Sequence, residues 1–335
     1  SRAPVGGGGG GNDSLCSFFL PRAVPQVEAY AAASRQRISV TLEHLASVAS
    51  FLTGIPGVKT MLYVSDALER APGSDLVTFI NDLCPTQSET PRFLLSDELS
   101  RAFRNLTRHA NANRVTIYAM QARGLRTSFL GGADQRSVEL RTTGTFEASM
   151  RTSEREGLST LAAETGGRMI VNRNTFDKEL VGIAREMSGY YSLGYEPLHG
   201  GYEREHEIKV KLKSNNLKAR HRKGYRDKSS DQRMTERLQG AVYLGLVDNP
   251  LGVRLGAGSV TAREGSLMTM PLHILIPADK VVFLPNDDGV SAQLSIQVST
   301  RNTDDDKGLF DHRAYRINWK TASDQEVVTL SMDLE

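Results

Sequence analysis

Few side chains in this sequence stand at spacings that do chemistry, and the two cysteines come first. Cys16 and Cys84 are compatible with one disulfide in an oxidising compartment or with two buried thiols. With no CxxC or Cys/His spacing around them they build no zinc site. The seven histidines include no HExxH pair, and His44, His206 and His221 stand in separate elements, so none is assigned to a site. Thr165-Gly166-Gly167 has the composition of a phosphate-cradling turn. It follows a helix instead of opening one, however, and that polarity predicts a helix C-cap. Asp304-Asp305-Asp306 offers oxygen ligands for Ca²⁺ between strands, against the plainer reading of three solvated acids in a turn. No nucleophile with a base, no paired carboxylates and no cofactor loop stand at a working spacing, so no enzymatic activity is expected.

Charge and hydropathy narrow the class of partner. The 41 Lys plus Arg against 39 Asp plus Glu leave a formal charge of +2, so no nucleic-acid partner is expected. No run approaches the ~18 apolar residues of a membrane helix, and no membrane insertion is expected of this chain. A local basic stripe, Lys209, Lys211, Lys213, Lys218, Arg220, Arg222 and Lys223, reads either as a grip for an acidic ligand or as an edge hairpin blunted by charge. The opening Ser1-Arg2-Ala3-Pro4 and the glycine run Gly6 to Gly11 contain no charged-then-apolar leader, and residues 1–25 read as a disordered segment.

The elements that would position these groups alternate. Val27 to Leu52 carries apolar residues at three- and four-residue steps and predicts a long helix, stopped by Thr53-Gly54-Ile55-Pro56-Gly57. Lys59 to Asp66 is a short apolar run with a polar end, the pattern of a buried parallel strand. Ser96 to Ala112 predicts a helix and Val115 to Met120 the next strand. Ser153 and Glu156 have capping-box spacing for a helix through Ala163, followed by a strand at Met169 to Val171 and a helix at Phe176 to Met187 capped by Asn174 or Thr175. Tyr190, Tyr191 and Tyr195 read as core residues of a further buried strand, against the alternative of a recognition surface. Strand alternating with helix predicts an α/β fold with a doubly wound, mostly parallel sheet over residues 26–226.

From His206 the apolar period becomes two, predicting a hairpin of Ile208 to Leu212 with Leu217 to His221 across Ser214-Asn215-Asn216. The polar stretch Arg226 to Arg233 marks a boundary, residues 227–250 reading as a linker and helix. Short strands separated by Gly, Asn and Asp turns then predict a small all-β, sandwich-like domain over 251–335 that stops while still reading as strand.

Four segments in order, Ile55-Pro56-Gly57-Val58-Lys59, Leu62-Tyr63-Val64-Ser65-Asp66, Leu161 to Arg168 and Tyr190 to Tyr195, resemble the acidobacterial type of von Willebrand factor A (VWFA)-related domain. The closing Arg222-Lys223-Gly224-Tyr225-Arg226 is similar to that domain's end, and the resemblance covers about residues 36–226. It implies a metal-ion-dependent adhesion site at the carboxyl ends of the strands, where a hard cation such as Mg²⁺ takes carboxylate and hydroxyl oxygens and leaves a position for a ligand carboxylate. Asp66 stands where the family has its Ser-Asp-Gly turn, with Ala67 in place of the glycine, and is the metal ligand the resemblance implies. A helix N-cap or strand-end hydrogen-bonding role competes for the same residue.

The family's Asp-x-Ser-x-Ser loop has no acceptable counterpart, since Asp13-Ser14-Leu15-Cys16-Ser17 has Leu15 at a hydroxyl position and no apolar strand before it. The family's threonine ligand is unassigned, and the site is expected to be partial. The strands that precede that loop in the family have no room before Val27, so the strand bearing Asp66 is expected to show an unpaired edge that invites self-association. The expected function is a non-enzymatic, adhesion-type module binding a protein ligand in a secreted or periplasmic, envelope protein. The alternative is a degenerate, metal-free scaffold for the C-terminal β domain.

Overall fold

The computed structural model describes residues 10–55, 57–85, 97–124, 139–194, 202–245, 249–262, 268–301, 308–321 and 326–334. They divide into two compact units, residues 1–229 and 230–335.

The first unit is built on helix α1, Gly10–Phe51. Its second half lays Ile38, Leu42, Leu45, Ala49 and Leu52 on the main core, the stripe their spacing predicts. The first half was expected to be disordered up to residue 25, yet the helix starts at Gly10 and runs through Pro21 and Pro25. Each proline removes a backbone donor, so this half depends on tertiary anchors. They are a disulfide between Cys16 and Cys84, with Cα atoms 5.8 Å apart, and an apolar cluster of Val27 and Ala31 with Leu76, Val77 and Ile80. Those last three residues belong to α2, Ser74–Leu83, a helix the pattern reading did not detect.

Past the turn at Gly57, whose φ of 87° suits glycine, strand β1 runs Lys59–Ser65. Helix α3, Glu98–Ala112, leads to β2, Val115–Gln121. Helix α4, Glu139–Thr165, leads to β3, Met169–Ile170. The three strands form one parallel sheet, ordered β1-β2-β3, with Lys59 opposite Val115, Ser65 opposite Gln121 and Ala119 opposite Met169. Alternation along the strands sends Met61, Ile117 and Ala119 to one face, where α1, α3 and α4 pack with Leu42, Phe103, Leu106, Leu158 and Leu161. Tyr118 and Met120 turn to the other face, against Ile170 and against Ile183 of α5, Asp177–Ser188.

The end of α4 shows how closely the layers meet. Thr165, fully buried, accepts a hydrogen bond from the Ile117 amide at 2.9 Å and donates one to Leu161 O at 2.7 Å. Gly166 takes the left-handed φ of 83°, and the Gly167 amide donates back to Ala162 O, so Thr165-Gly166-Gly167 is a helix C-cap. A β-carbon on Gly167 would lie 2.0 Å from the Ile117 carbonyl oxygen, which leaves glycine alone able to stand there.

Several expectations are corrected. Ser153 and Glu156 lie inside α4, not at its start: Ser153 is buried, and Glu156 pairs with Arg70 at 3.5 Å. Phe176, not Asn174 or Thr175, stands at the start of α5, without a side-chain cap. Tyr190 and Tyr191 are 61% and 97% exposed and join no strand, and Tyr195 lies outside the described residues. The expected hairpin has regular pairing only at its base, β4 Glu205–Glu207 with β5 Gly224–Arg226, extended by the Ile208 amide donating to Lys223 O.

The second unit opens with helix α6, Ser230–Leu244, within the 227–250 stretch read as linker and helix, and strands follow it. Strands β6 Arg254–Ala257, β7 Thr261–Ala262, β8 Met268–Pro277 and β12 Val327–Leu334 form one antiparallel group around β8. β9 Leu284–Asn286, β10 Gly289–Arg301 and β11 Gly308–Trp319 form a second sheet. Both contribute to one core, Leu272, Ile274, Ile276, Val328 and Met332 from the first with Leu294, Ile296, Ile317 and Trp319 from the second.

Candidate functional site

The parallel sheet points the ends of β1, β2 and β3 to one rim, the place where open α/β sheets bind ligands because the loops there diverge to either face. Three residues just past or at these ends are polar: Asp66, Gln121 and Asn172. Gln121 is 2% exposed and organises the rim. Its amide nitrogen donates to the Asp66 carbonyl at 3.0 Å, and its amide oxygen accepts from Arg155 Nε at 3.0 Å. Arg155 donates in turn to Asn172 Oδ1 at 2.7 Å. A buried amide thus has both ends satisfied, and α4 is tied to the ends of β1 and β2 and to the loop after β3.

The loop after Asp66 is strapped to α4 as well. The Leu68 amide donates to Glu154 O and the Gly157 amide donates to Leu68 O, both at 2.8 Å. That approach requires glycine at 157, where a β-carbon would lie 2.4 Å from Leu68 O. Beyond the strap, Tyr30 donates to Glu69 at 3.3 Å, and burial, followed by the charge of Asp75, raises Glu69 above the ordinary carboxylate range.

Between the end of β2 and the residues after it, α4, and the residue Asn172 after β3 lies a cavity of about 200 Å³, lined by Gln121, Arg123, Gly124, Arg151, Glu154, Arg155 and Asn172. Arg123 donates to Glu154 at 2.6 Å, where Glu154 is largely buried and Arg123 is not. Arg151 pairs with Glu147, one turn back, at 3.1 Å. Asn172 holds φ of 56°, a left-handed conformation that asparagine tolerates at small cost. With Arg123 on Glu154 and Arg151 on Glu147, Arg155 is left without a carboxylate partner among the described residues and gives the cavity a positive field.

Asp66 stands in the bend directly after β1, exposed, with its carboxylate on the surface and its carbonyl engaged by Gln121. Beside it, Ser65 Oγ donates to Ala67 O at 2.9 Å. One carboxylate with one neighbouring hydroxyl supplies part of an Mg²⁺ shell; among the described residues no group of three or more His, Cys, Asp or Glu comes together to hold a metal. The Asp13 to Ser17 segment lies within α1 and contributes its cysteine to the disulfide. Asp304 to Asp306 lie outside the described residues.

The basic stripe is not brought to this rim. Arg220 pairs with Glu186 at 2.8 Å, Lys209 with Glu207 at 3.0 Å, and Arg222 donates to Asn111 O at 3.3 Å. Part of that charge is neutralised inside the fold.

Sequence reasoning located Asp66 and missed Gln121, Arg123, Arg151, Arg155 and Asn172. The signals present were weak: a polar residue closing the apolar run of β2, and two arginines four apart on one helix. Among the described residues no helix is long and apolar enough to cross a membrane. Compared with known proteins, the chain finds no counterpart: no family model, no curated protein and no solved structure matches it.

Proposed function

We propose that this chain is a non-enzymatic binding module of the adhesion type, resembling a von Willebrand factor A-related domain, that takes its ligand at the carboxyl rim of the parallel sheet. The observation that carries this reading is the rim itself, in which buried Gln121 ties Asp66, Arg155 and Asn172 into one surface where an open sheet binds ligands. Helices on both faces of the sheet, as in a doubly wound fold, support it, and so do two antiparallel sheets around one core, as in a sandwich-like second domain. The Cys16–Cys84 disulfide supports a secreted or periplasmic, envelope location, where such bonds persist. The expected ligand is a protein.

In this reading Asp66 holds a divalent cation, Mg²⁺, whose chemistry is to accept a ligand carboxylate. Calorimetric titration of Mg²⁺ and Mn²⁺ into the wild-type chain and Asp66→Ala tests it: saturable binding in the first and none in the second is the expected result. A second reading, a metal-free scaffold, is favoured by Arg155, whose charge has no carboxylate partner among the described residues and opposes a cation nearby. Absence of metal binding in the wild type decides for it.

A partner of the same kind is also proposed. Among the described residues β1 pairs only with β2, and Leu62 and Val64 on its outer face are 40% and 51% exposed. An open edge beside apolar side chains recruits another strand. Light scattering of the purified chain is expected to show dimers or larger species, reduced by Val64→Lys; a monodisperse monomer opposes the proposal.

A further inference from the structure

Among the described residues, the arginine cavity beside Gln121 holds one more positive charge than the carboxylates paired with it. Arg123 is matched by Glu154 and Arg151 by Glu147. Arg155 has no carboxylate partner among the described residues; the groups it bonds, Gln121 and Asn172, are neutral. A guanidinium has five N–H donors, and these two contacts use two of them. The fork is held still by a buried amide on one side and by a left-handed asparagine on the other, which removes most of the ordering cost of engaging a ligand. At about 200 Å³ the cavity lies below the roughly 300–1,000 Å³ of drug-sized ligand sites, so it admits a side chain or a comparably small group.

We infer that this cavity is a carboxylate-binding site in which Arg155 receives an acidic side chain of a protein ligand. The surplus of one positive charge matches one monoanion and does not match a phosphate dianion, for which Glu154 in the lining is a repulsive neighbour. Nε and Nη2 of Arg155 hold Gln121 and Asn172, which leaves the Nη1 hydrogens and the second hydrogen of Nη2 as the donors for the carboxylate. The site deepens the binding-module reading and rests on it for the location of the ligand, but it requires no metal.

The test is titration of acetyl-glutamate amide, which carries a single side-chain carboxylate, into the wild-type chain in the presence of a chelator, followed by amide chemical shifts. The glutamine isostere and inorganic phosphate are parallel probes. The carboxylate is expected to bind saturably and weaken with salt, with shifts at Gln121 and Asn172, while its amide isostere does not bind. Arg155→Gln is expected to lose about tenfold or more in affinity and Arg155→Lys to keep part of it. Asn172→Asp, isosteric at an exposed position, gives Arg155 an internal carboxylate and is expected to abolish binding with no fall in melting temperature. That outcome separates loss of the site from loss of the fold. Binding that is absent in the wild type, equal for the amide, stronger for phosphate, or unchanged in both Arg155→Gln and Asn172→Asp overturns the inference. In a parallel titration with Mg²⁺ in place of the chelator, binding that needs the ion and disappears in Asp66→Ala while surviving Arg155→Gln also overturns it, and leaves the binding-module reading in place.

Discussion

Replacing Phe103 by alanine is expected to cost the first unit about 3–5 kcal/mol, the range for deleting a fully buried aromatic ring. Phe103 is 1% exposed at the centre of the face shared by α1, α3 and α4. Its ring end lies where a β-carbon on Gly157 would come within 2.8 Å, so it fills the space that this glycine leaves open. The loop after Asp66 is bonded to α4 at the same glycine. Removing the ring therefore takes away apolar burial and also the packing beneath that loop. Urea unfolding followed by far-ultraviolet circular dichroism checks the stability loss. A change below about 1 kcal/mol contradicts the packing of α1, α3 and α4 on that face of the sheet.

Cys16→Ser with Cys84→Ser, or reduction of the wild type, is expected to cost about 4 kcal/mol. The bond closes a loop with a sequence separation of 68, and the chain-entropy account places loops between 15 and 100 residues at roughly 3–4.7 kcal/mol. For a unit of this size that corresponds to a fall in Tm of roughly 8–16 °C. The effect has a structural side as well. Few apolar residues join the first half of α1 to α2, and two prolines each remove a backbone donor from that half, so the disulfide is its principal anchor. Without it, hydrogen exchange is expected to rise first in residues 16–27 and in α2, ahead of the central strands. Calorimetry with and without reductant measures the first effect. Equal melting temperatures would mean that the apolar cluster alone holds α2.

Both expectations rest on contacts that differ in how visible they were along the chain. The strands β1 and β2 were legible because a buried parallel strand is a short apolar run between turns, and Lys59 to Ser65 and Val115 to Gln121 have that form. The stripe of Leu99, Phe103 and Leu106 on α3 was legible because one helical face must be apolar to be buried. The C-cap at Thr165-Gly166-Gly167 followed from glycine's freedom at positive φ. By contrast α2, with ten residues, is short enough for its pattern to be lost between polar neighbours, and its place depends on Val27 and Ala31 far upstream. Tyr190 and Tyr191 misled because aromatics near a strand pattern ordinarily mark a core, and among the described residues both stand exposed and join no strand.

The sequence by itself determined the alternation of helix and strand in the first unit, the change to antiparallel strands in the second and the placing of Asp66 at a strand end, because each depends on periodicity or turn chemistry within a few residues. Only the tertiary structure decided the pairing of Cys16 with Cys84 and the assembly of the rim. Arg155 meets Gln121 across 34 residues and Asn172 across 17, and Gln121 meets Asp66 across 55. Contacts of that range leave no local pattern, since they are set by strand order, register and the face that α4 presents to the sheet.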